Sequence, residues 1–80
     1  MIFEKVSIIG LGYIGLPTAA LLASKNKNVV GVDINPEIVE TINNAKVHIV
    51  EEDLESLVFE AVKNGRLIAK NRPEQSDVFI

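Results

Sequence analysis

The stretch VSIIGLGYIGLPTAALLA, residues 6–23, decides the fold. Its β-branched residues end at a GxGxxG loop, and a helical pattern opens within that loop. We expect a buried strand over Phe3–Ile9, a tight turn over Gly10–Gly15 and a helix from Tyr13 to about Lys25. The proline of this helix falls in its first turn, where the missing N–H costs little. The side chains expected to share one helix side are Ile14, Thr18, Leu21 and Leu22.

The pattern that follows is a second strand and a second helix. Val29–Asp33 has the composition of a buried strand that ends on a carboxylate. Asn35 and Pro36 then indicate a helix start, because asparagine caps helices with its side chain and proline suits the first helical position. The apolar face of this helix is predicted to carry Ile38, Val39 and Ile42.

The remainder of the chain predicts one more helix and two more strands. His48–Val50 is interpreted as a short extended piece, and Asp53 as the cap of a helix that ends at Gly65. Leu67–Ala69 and Val78–Ile80 are predicted as the third and fourth strands. The apolar positions of the helix recur with a period of 3.6 residues, at Leu54, Leu57, Val58, Ala61 and Val62.

Strands alternating with helices predict an α/β fold, a Rossmann-type parallel sheet flanked by helices. About four strands and three helices are expected, with the fourth strand beside the first. Because the fourth strand is cut off in its opening residues, residues 1–80 are interpreted as the N-terminal part of a nucleotide-binding domain. The unfinished sheet edge invites pairing with another copy, so we expect a homo-oligomer.

Composition excludes several classes of function. The net charge is −3 and no basic stripe occurs, which argues against nucleic acid as a partner. Cysteine is absent and histidine occurs once, so neither a metal site nor a thiol nucleophile is expected. No apolar run reaches the roughly 18 residues that span a bilayer, and no secretory signal precedes the first strand. We expect a cytoplasmic protein.

The glycine loop is the segment whose residue types and spacing point to a ligand. Gly10 permits the sharp turn, Gly12 lets a dinucleotide's pyrophosphate approach the backbone, and Gly15 lets the helix pack closely on the first strand. The backbone N–H groups of Tyr13 and Ile14 are natural pyrophosphate donors, while the Ile14 side chain could equally pack under the loop. By itself the spacing also occurs in tight turns without a ligand, but its place between strand and helix favours dinucleotide binding.

Asp33 completes the dinucleotide pattern. It ends the second strand at roughly the expected 20 residues from the loop, where a carboxylate accepts hydrogen bonds from the adenosine ribose. The alternative is a loop carboxylate that caps the Pro36 helix, although Asn35 already fills that position. A carboxylate at this place repels a 2′-phosphate, and neither Ile34 nor Asn35 supplies a cation, so NAD is favoured over NADP.

The chain resembles the UDP-glucose/GDP-mannose 6-dehydrogenase family along its whole length. The resemblance rests on GLGYIGLPTA (10–19), GVDIN (31–35), TIN (41–43) and HIVE (48–51) followed by Asp53 and Leu54. It implies an enzyme that oxidises the C6 alcohol of a nucleotide sugar to a carboxylate with two NAD, through an adduct on a cysteine. No catalytic residue is expected here, because the chain has no cysteine.

Within the family, His48 resembles the branch that acts on UDP-N-acetyl-D-mannosamine, whereas Glu52 departs from the family's usual proline. UDP-glucose and GDP-mannose enzymes are the near alternatives. A non-catalytic nucleotide-sensing Rossmann module is a second class of function, and methyltransferases or flavoproteins with related glycine loops are a third. Other conspicuous residues have plain interpretations: His48 as a polar loop residue, Glu51 to Glu55 as carboxylates at a helix start, and a solvated edge formed by Lys63, Arg66, Lys70 and Arg72.

Overall fold

Four strands and three helices follow one another in the computed structural model, which describes residues 5–80. This is the predicted order of elements; the predicted start of the first strand, Phe3, lies outside the described residues. No helix in the described part is long and apolar enough to cross a membrane. The elements are β1 (Lys5–Ile9), α1 (Gly15–Ser24), β2 (Asn28–Val32), α2 (Pro36–Asn43), α3 (Leu54–Lys63), β3 (Leu67–Lys70) and β4 (Val78–Phe79).

The four strands form one parallel sheet in the order β3-β2-β1-β4. This confirms the Rossmann-type α/β fold and the expected place of the fourth strand beside the first. Val6 pairs with Val29 on one side and with Val78 on the other, and Val29 pairs in turn with Leu67. Because side chains alternate along a strand, these four residues share one face of the sheet. The core lies between this face and the three helices.

The first helix buries a different side from the one predicted. Ile14 is 76% exposed and Leu21 54% exposed, so the expected face was wrong. The buried set has the same three- and four-residue spacing but smaller side chains. Because α1 packs against both the sheet and α3, small alanine side chains let it approach both. The prediction was wrong because it chose the larger apolar side chains as the buried ones. The residues that α1 buries are Leu16, Ala19, Ala20 and Ala23.

The second helix is capped as predicted, whereas the third begins after Asp53 as predicted but without the expected side-chain cap. The Asn35 side chain accepts a hydrogen bond from the backbone N–H of Glu37 at 2.9 Å, and Pro36 occupies the first position of α2. Asp53, in contrast, has a left-handed backbone with φ of 64° and makes no side-chain cap bond to α3. A capping side chain needs an extended backbone at that position. The predicted extended piece at His48–Val50 is not a strand, and His48 and Ile49 form a bend.

The segment 71–77 crosses the sheet face opposite to the helices on its way from β3 to β4. The side chains of Lys5, Ser7 and Lys70 alternate with the core residues and so belong to this second face. Glu74 forms ion pairs with Lys5, at 2.6 Å, and with Lys70. The hydroxyls of Ser7 and Ser76 are hydrogen bonded at 2.5 Å. Polar bonds therefore fasten this crossing segment.

Three of the four cations predicted to form a plain solvated edge, Lys63, Arg66 and Lys70, have defined partners. Arg66 donates to the backbone oxygen of Asn26 and to Oδ1 of Asn28, both at 3.1 Å. The ammonium group of Lys63 lies 5.5 Å from the centre of the Phe59 ring. The end of α3 is as the sequence indicated, with Gly65 in the left-handed conformation at φ of 78°.

Candidate functional site

The glycine loop joins β1 to α1 at the carboxyl end of the sheet. Gly10 has φ of +90°, and its N–H donates to the Val32 oxygen at 2.7 Å, which ties the loop to β2. A Cβ at Gly15 would lie 1.7 Å from the Gly10 oxygen. Both positions therefore need glycine for reasons internal to the fold, one for its backbone angle and one for the close approach of α1.

Gly12 has neither of these internal reasons to be glycine, since it has no positive φ and no close neighbour. A Cβ built at Gly12 would meet no heavy atom within 4 Å, so its missing side chain leaves open space in front of the backbone. Tyr13 and Ile14 follow it with side chains 79% and 76% exposed. Ile14 therefore does not pack under the loop. This part of the loop presents its backbone to an approaching ligand.

The N-terminus of α1 has no acidic residue in its first turn and no side-chain cap. The other two helices of the described chain carry carboxylates there, Glu37 in α2 and Glu55 in α3. The first N–H groups of a helix lack intrahelical acceptors, and the helix dipole places partial positive charge on them. An anion bound at the loop would meet no competing carboxylate of α1 itself.

Leu11 lies beneath the loop, a place that sequence reasoning did not assign to it. Its side chain is fully buried over Gly31 of β2. Its backbone N–H donates to Oδ2 of Asp33 at 2.9 Å. The signal that could have revealed this contact is Gly31 itself, because a glycine inside a strand pattern often marks a close approach.

Asp33 follows β2 directly and holds two backbone groups. Oδ1 accepts from Asn35 N–H and Oδ2 from Leu11 N–H, both at 2.9 Å. The alternative of a cap for α2 is therefore not what the structure shows, since Asn35 makes that bond. Each carboxylate oxygen can accept a second hydrogen bond, so the group keeps acceptor capacity for a ligand hydroxyl.

The Asp33 carboxyl is ionised at neutral pH. Its pKa lies below the ordinary value of 3.8 because the backbone N–H groups of Asn35 and, next, Leu11 favour the charged form. The charge of His48 contributes in the same direction, and burial opposes it. His48 itself is an exposed loop residue.

This lowered pKa predicts a specific loss of stability in acid. A carboxyl whose pKa is depressed by folding stabilises the fold above its unfolded pKa and loses that contribution as the pH falls through the folded pKa. The free energy of unfolding should therefore drop as the pH is lowered below 3.8. Denaturation of Asp33→Asn over the same range should show a shallower drop, and identical pH profiles would contradict the assignment.

Beside Asp33 lies a depression of about 170 Å³, lined by Ile9, Gly10, Val32, Asp33 and Ile34. Ile34 is 92% exposed and offers an apolar surface next to the carboxylate. A larger depression of about 510 Å³ lies away from the loop, between the end of α2 and α3, with Phe59 in its wall. Within residues 5–80, no group of three or more His, Cys, Asp or Glu side chains could hold a metal ion.

Comparison with known proteins identifies the class of domain. The sequence model of the UDP-glucose/GDP-mannose dehydrogenase family, NAD binding domain, matches residues 4–80. The chain belongs to this family. Its cofactor is therefore NAD, and its fold is the one that the geometry above describes. The resemblance seen in the sequence is confirmed.

Curated relatives match nearly the whole length of this chain. A UDP-N-acetyl-D-mannosamine dehydrogenase from Yersinia pestis is 55% identical over 80 residues, which cover 100% of this chain and 19% of the relative. An NDP-N-acetyl-D-galactosaminuronic acid dehydrogenase from Ralstonia solanacearum is 54% identical over 78 residues, covering 98% and 18%. The chain thus spans about a fifth of the length of these relatives.

Solved structures of the family superpose closely on the chain. The UDP-N-acetyl-mannosamine dehydrogenase of Staphylococcus aureus has a TM-score of 0.91 at 40% identity, over 94% of this chain and 18% of that one. A GDP-mannose dehydrogenase from Pseudomonas aeruginosa has a TM-score of 0.80 at 38% identity, over 81% and 15%. The family's NAD-binding fold is therefore present in these 80 residues.

Proposed function

We propose that the glycine loop (Gly10–Gly15) holds the pyrophosphate of NAD and that Asp33 holds its adenosine ribose. Backbone N–H groups of Gly12, Tyr13 and Ile14 would donate to the phosphate oxygens at the N-terminus of α1. The observation that carries the proposal is the open backbone at Gly12 beside an uncapped helix start. Asp33 supports it, because both of its oxygens retain acceptor capacity.

The residues present also fit NAD better than NADP. The carboxylate of Asp33 is ionised and would repel a 2′-phosphate on the ribose that it accepts. When bound, NAD supplies a hydride acceptor, which is the chemistry that this chain's side chains lack. The chain's own part is to orient the cofactor at the carboxyl end of the sheet, where open α/β sheets bind their ligands.

For the whole protein, we propose a nucleotide-sugar 6-dehydrogenase acting on UDP-N-acetyl-D-mannosamine. Conversion of the C6 alcohol to a carboxylate removes four electrons as two hydrides, one to each of two NAD, and takes up one water. The proposal is supported by the 55% identity with an enzyme of that name. A second candidate substrate follows from the 54% identity with the N-acetyl-D-galactosaminuronic acid enzyme, which differs at the sugar.

By itself the chain is expected to give no turnover. The resemblance to the family implies a reaction that passes through an adduct on a cysteine, and the chain contains no cysteine. Purified chain mixed with NAD and UDP-N-acetyl-D-mannosamine should show no rise in absorbance from NADH. A rise that depends on the sugar nucleotide would refute this prediction.

The activity of a chimaera distinguishes two functions for this chain, the cofactor domain of an enzyme and a nucleotide-sensing module. This chain would replace the matching 80 residues of the Yersinia pestis dehydrogenase. We expect oxidation of the UDP-sugar with two NADH formed per sugar, because the loop must aim the nicotinamide at the substrate. A chimaera that folds and binds NAD but forms no NADH would favour the sensing module. The unmodified relative is the control.

A further inference from the structure

We propose that Leu11 and Gly31 are positioning residues for the phosphate-binding loop, acting without contact to the cofactor. This inference rests on the proposed pyrophosphate site at Gly10–Gly15. Leu11 stands between two glycines of the motif, Gly10 and Gly12, whose backbones have the weakest steric preferences of any residue. Whatever fixes Leu11 therefore fixes the direction in which the Gly12 N–H group points.

The first restraint on Leu11 is the packing of its side chain into the space over Gly31. Leu11 is fully buried. A Cβ on Gly31 would lie 2.6 Å from Cδ2, 2.9 Å from Cδ1 and 3.2 Å from Cγ of Leu11. The isobutyl group thus occupies the volume that any other residue at position 31 would fill. Because Leu11 is fully buried, its side chain has little room to turn aside, and we expect a residue with a Cβ at position 31 to displace the loop that carries Leu11.

The second restraint acts on the backbone of the same residue. Leu11 N–H donates to Oδ2 of Asp33 at 2.9 Å, while Oδ1 of Asp33 is fixed by Asn35 N–H. The proposed ribose acceptor and the proposed phosphate loop are therefore joined through Leu11. A shift of Leu11 would displace both anchoring points of the dinucleotide together.

The test is a double-mutant cycle on NAD binding to this chain, read by calorimetry at a temperature where circular dichroism shows every variant folded. Gly31→Ala and Leu11→Ala should each raise the Kd for NAD about tenfold, which is about 1.4 kcal/mol. Combined, they should raise it far less than the hundredfold product, because the added methyl takes space that the truncated leucine vacates. Val58→Ala, a buried truncation in α3, should lower Tm and leave Kd unchanged.

The outcomes separate this inference from the function on which it rests. If the unmodified chain does not bind NAD, the proposed function fails and the inference with it. If the unmodified chain binds and Gly31→Ala binds equally well, or if the two losses simply multiply, the inference alone is overturned. Should Gly31→Ala not fold, Leu11→Ala still decides, because it must weaken NAD binding while Val58→Ala does not.

Discussion

Gly15→Ala is expected to abolish the native fold of the chain. The new Cβ would lie 1.7 Å from the backbone oxygen of Gly10 and 2.8 Å from its carbonyl carbon. Backbone atoms cannot move aside as a side-chain end can, so α1 would have to leave the sheet. We expect a loss of about 3 kcal/mol or more, enough to unfold much of a small domain. Thermal denaturation followed by circular dichroism measures it.

Gly12→Ala is the matched control for this substitution. It adds the same methyl group to the same loop, but the methyl meets no heavy atom within 4 Å. Tm should stay close to that of the unmodified chain, while NAD binding should weaken because the methyl occupies the proposed place of the pyrophosphate. Equal Tm losses in the two variants would contradict the division of roles between Gly12 and Gly15.

Asp33→Asn is expected to weaken NAD binding by roughly 10- to 100-fold. A hydrogen bond to a charged group contributes about 1.5–3 kcal/mol, and the amide cannot accept from the ribose as the carboxylate does. Preference for NAD over NADP should fall at the same time, because the repulsion of a 2′-phosphate is removed. Calorimetric titration of both dinucleotides checks the two effects together.

The control for Asp33→Asn is Glu37→Gln, which removes one negative charge from the first turn of α2. Glu37 lies four residues beyond Asp33 and takes no part in the proposed ribose contact. Glu37→Gln should change the affinity for NAD and the affinity for NADP by no more than about twofold, since exposed charges are screened by salt. An unchanged ratio of NAD to NADP affinity in Asp33→Asn would contradict the proposal that Asp33 binds the adenosine ribose.

Strands and turn chemistry made most of the fold predictable from the sequence. The β-branched runs before Gly10 and before Asp33 could only be buried strands, and Asn35 with Pro36 marked the start of α2 unambiguously. The order of strands followed from the order that is general for Rossmann-type sheets, with the fourth strand beside the first. These features are local or follow from general rules of the fold, so they needed no knowledge of this chain's tertiary contacts.

The errors arose where packing between distant elements decides. Along α1, two apolar sets share the helical period, and only the contacts with α3 and the sheet select the alanine-rich one. Asp53 precedes a helix, but its left-handed backbone removes it from capping. The contact of Leu11 with Gly31 joins a loop residue to a residue of β2. A glycine inside a strand marks a close approach, but nothing local names its partner. The bond from Leu11 to Asp33 was missed for the same reason.

Nitrogen-15 correlation spectra of the labelled chain during titration with NAD test the central assignment most directly. The proposed site predicts large, saturable shifts at the amides of Gly12, Tyr13 and Ile14 and at those around Asp33. Amides lining the depression beside Phe59 should remain unmoved. Shifts confined to that depression, with the Gly10–Gly15 amides unchanged at saturation, would contradict the placement of the dinucleotide.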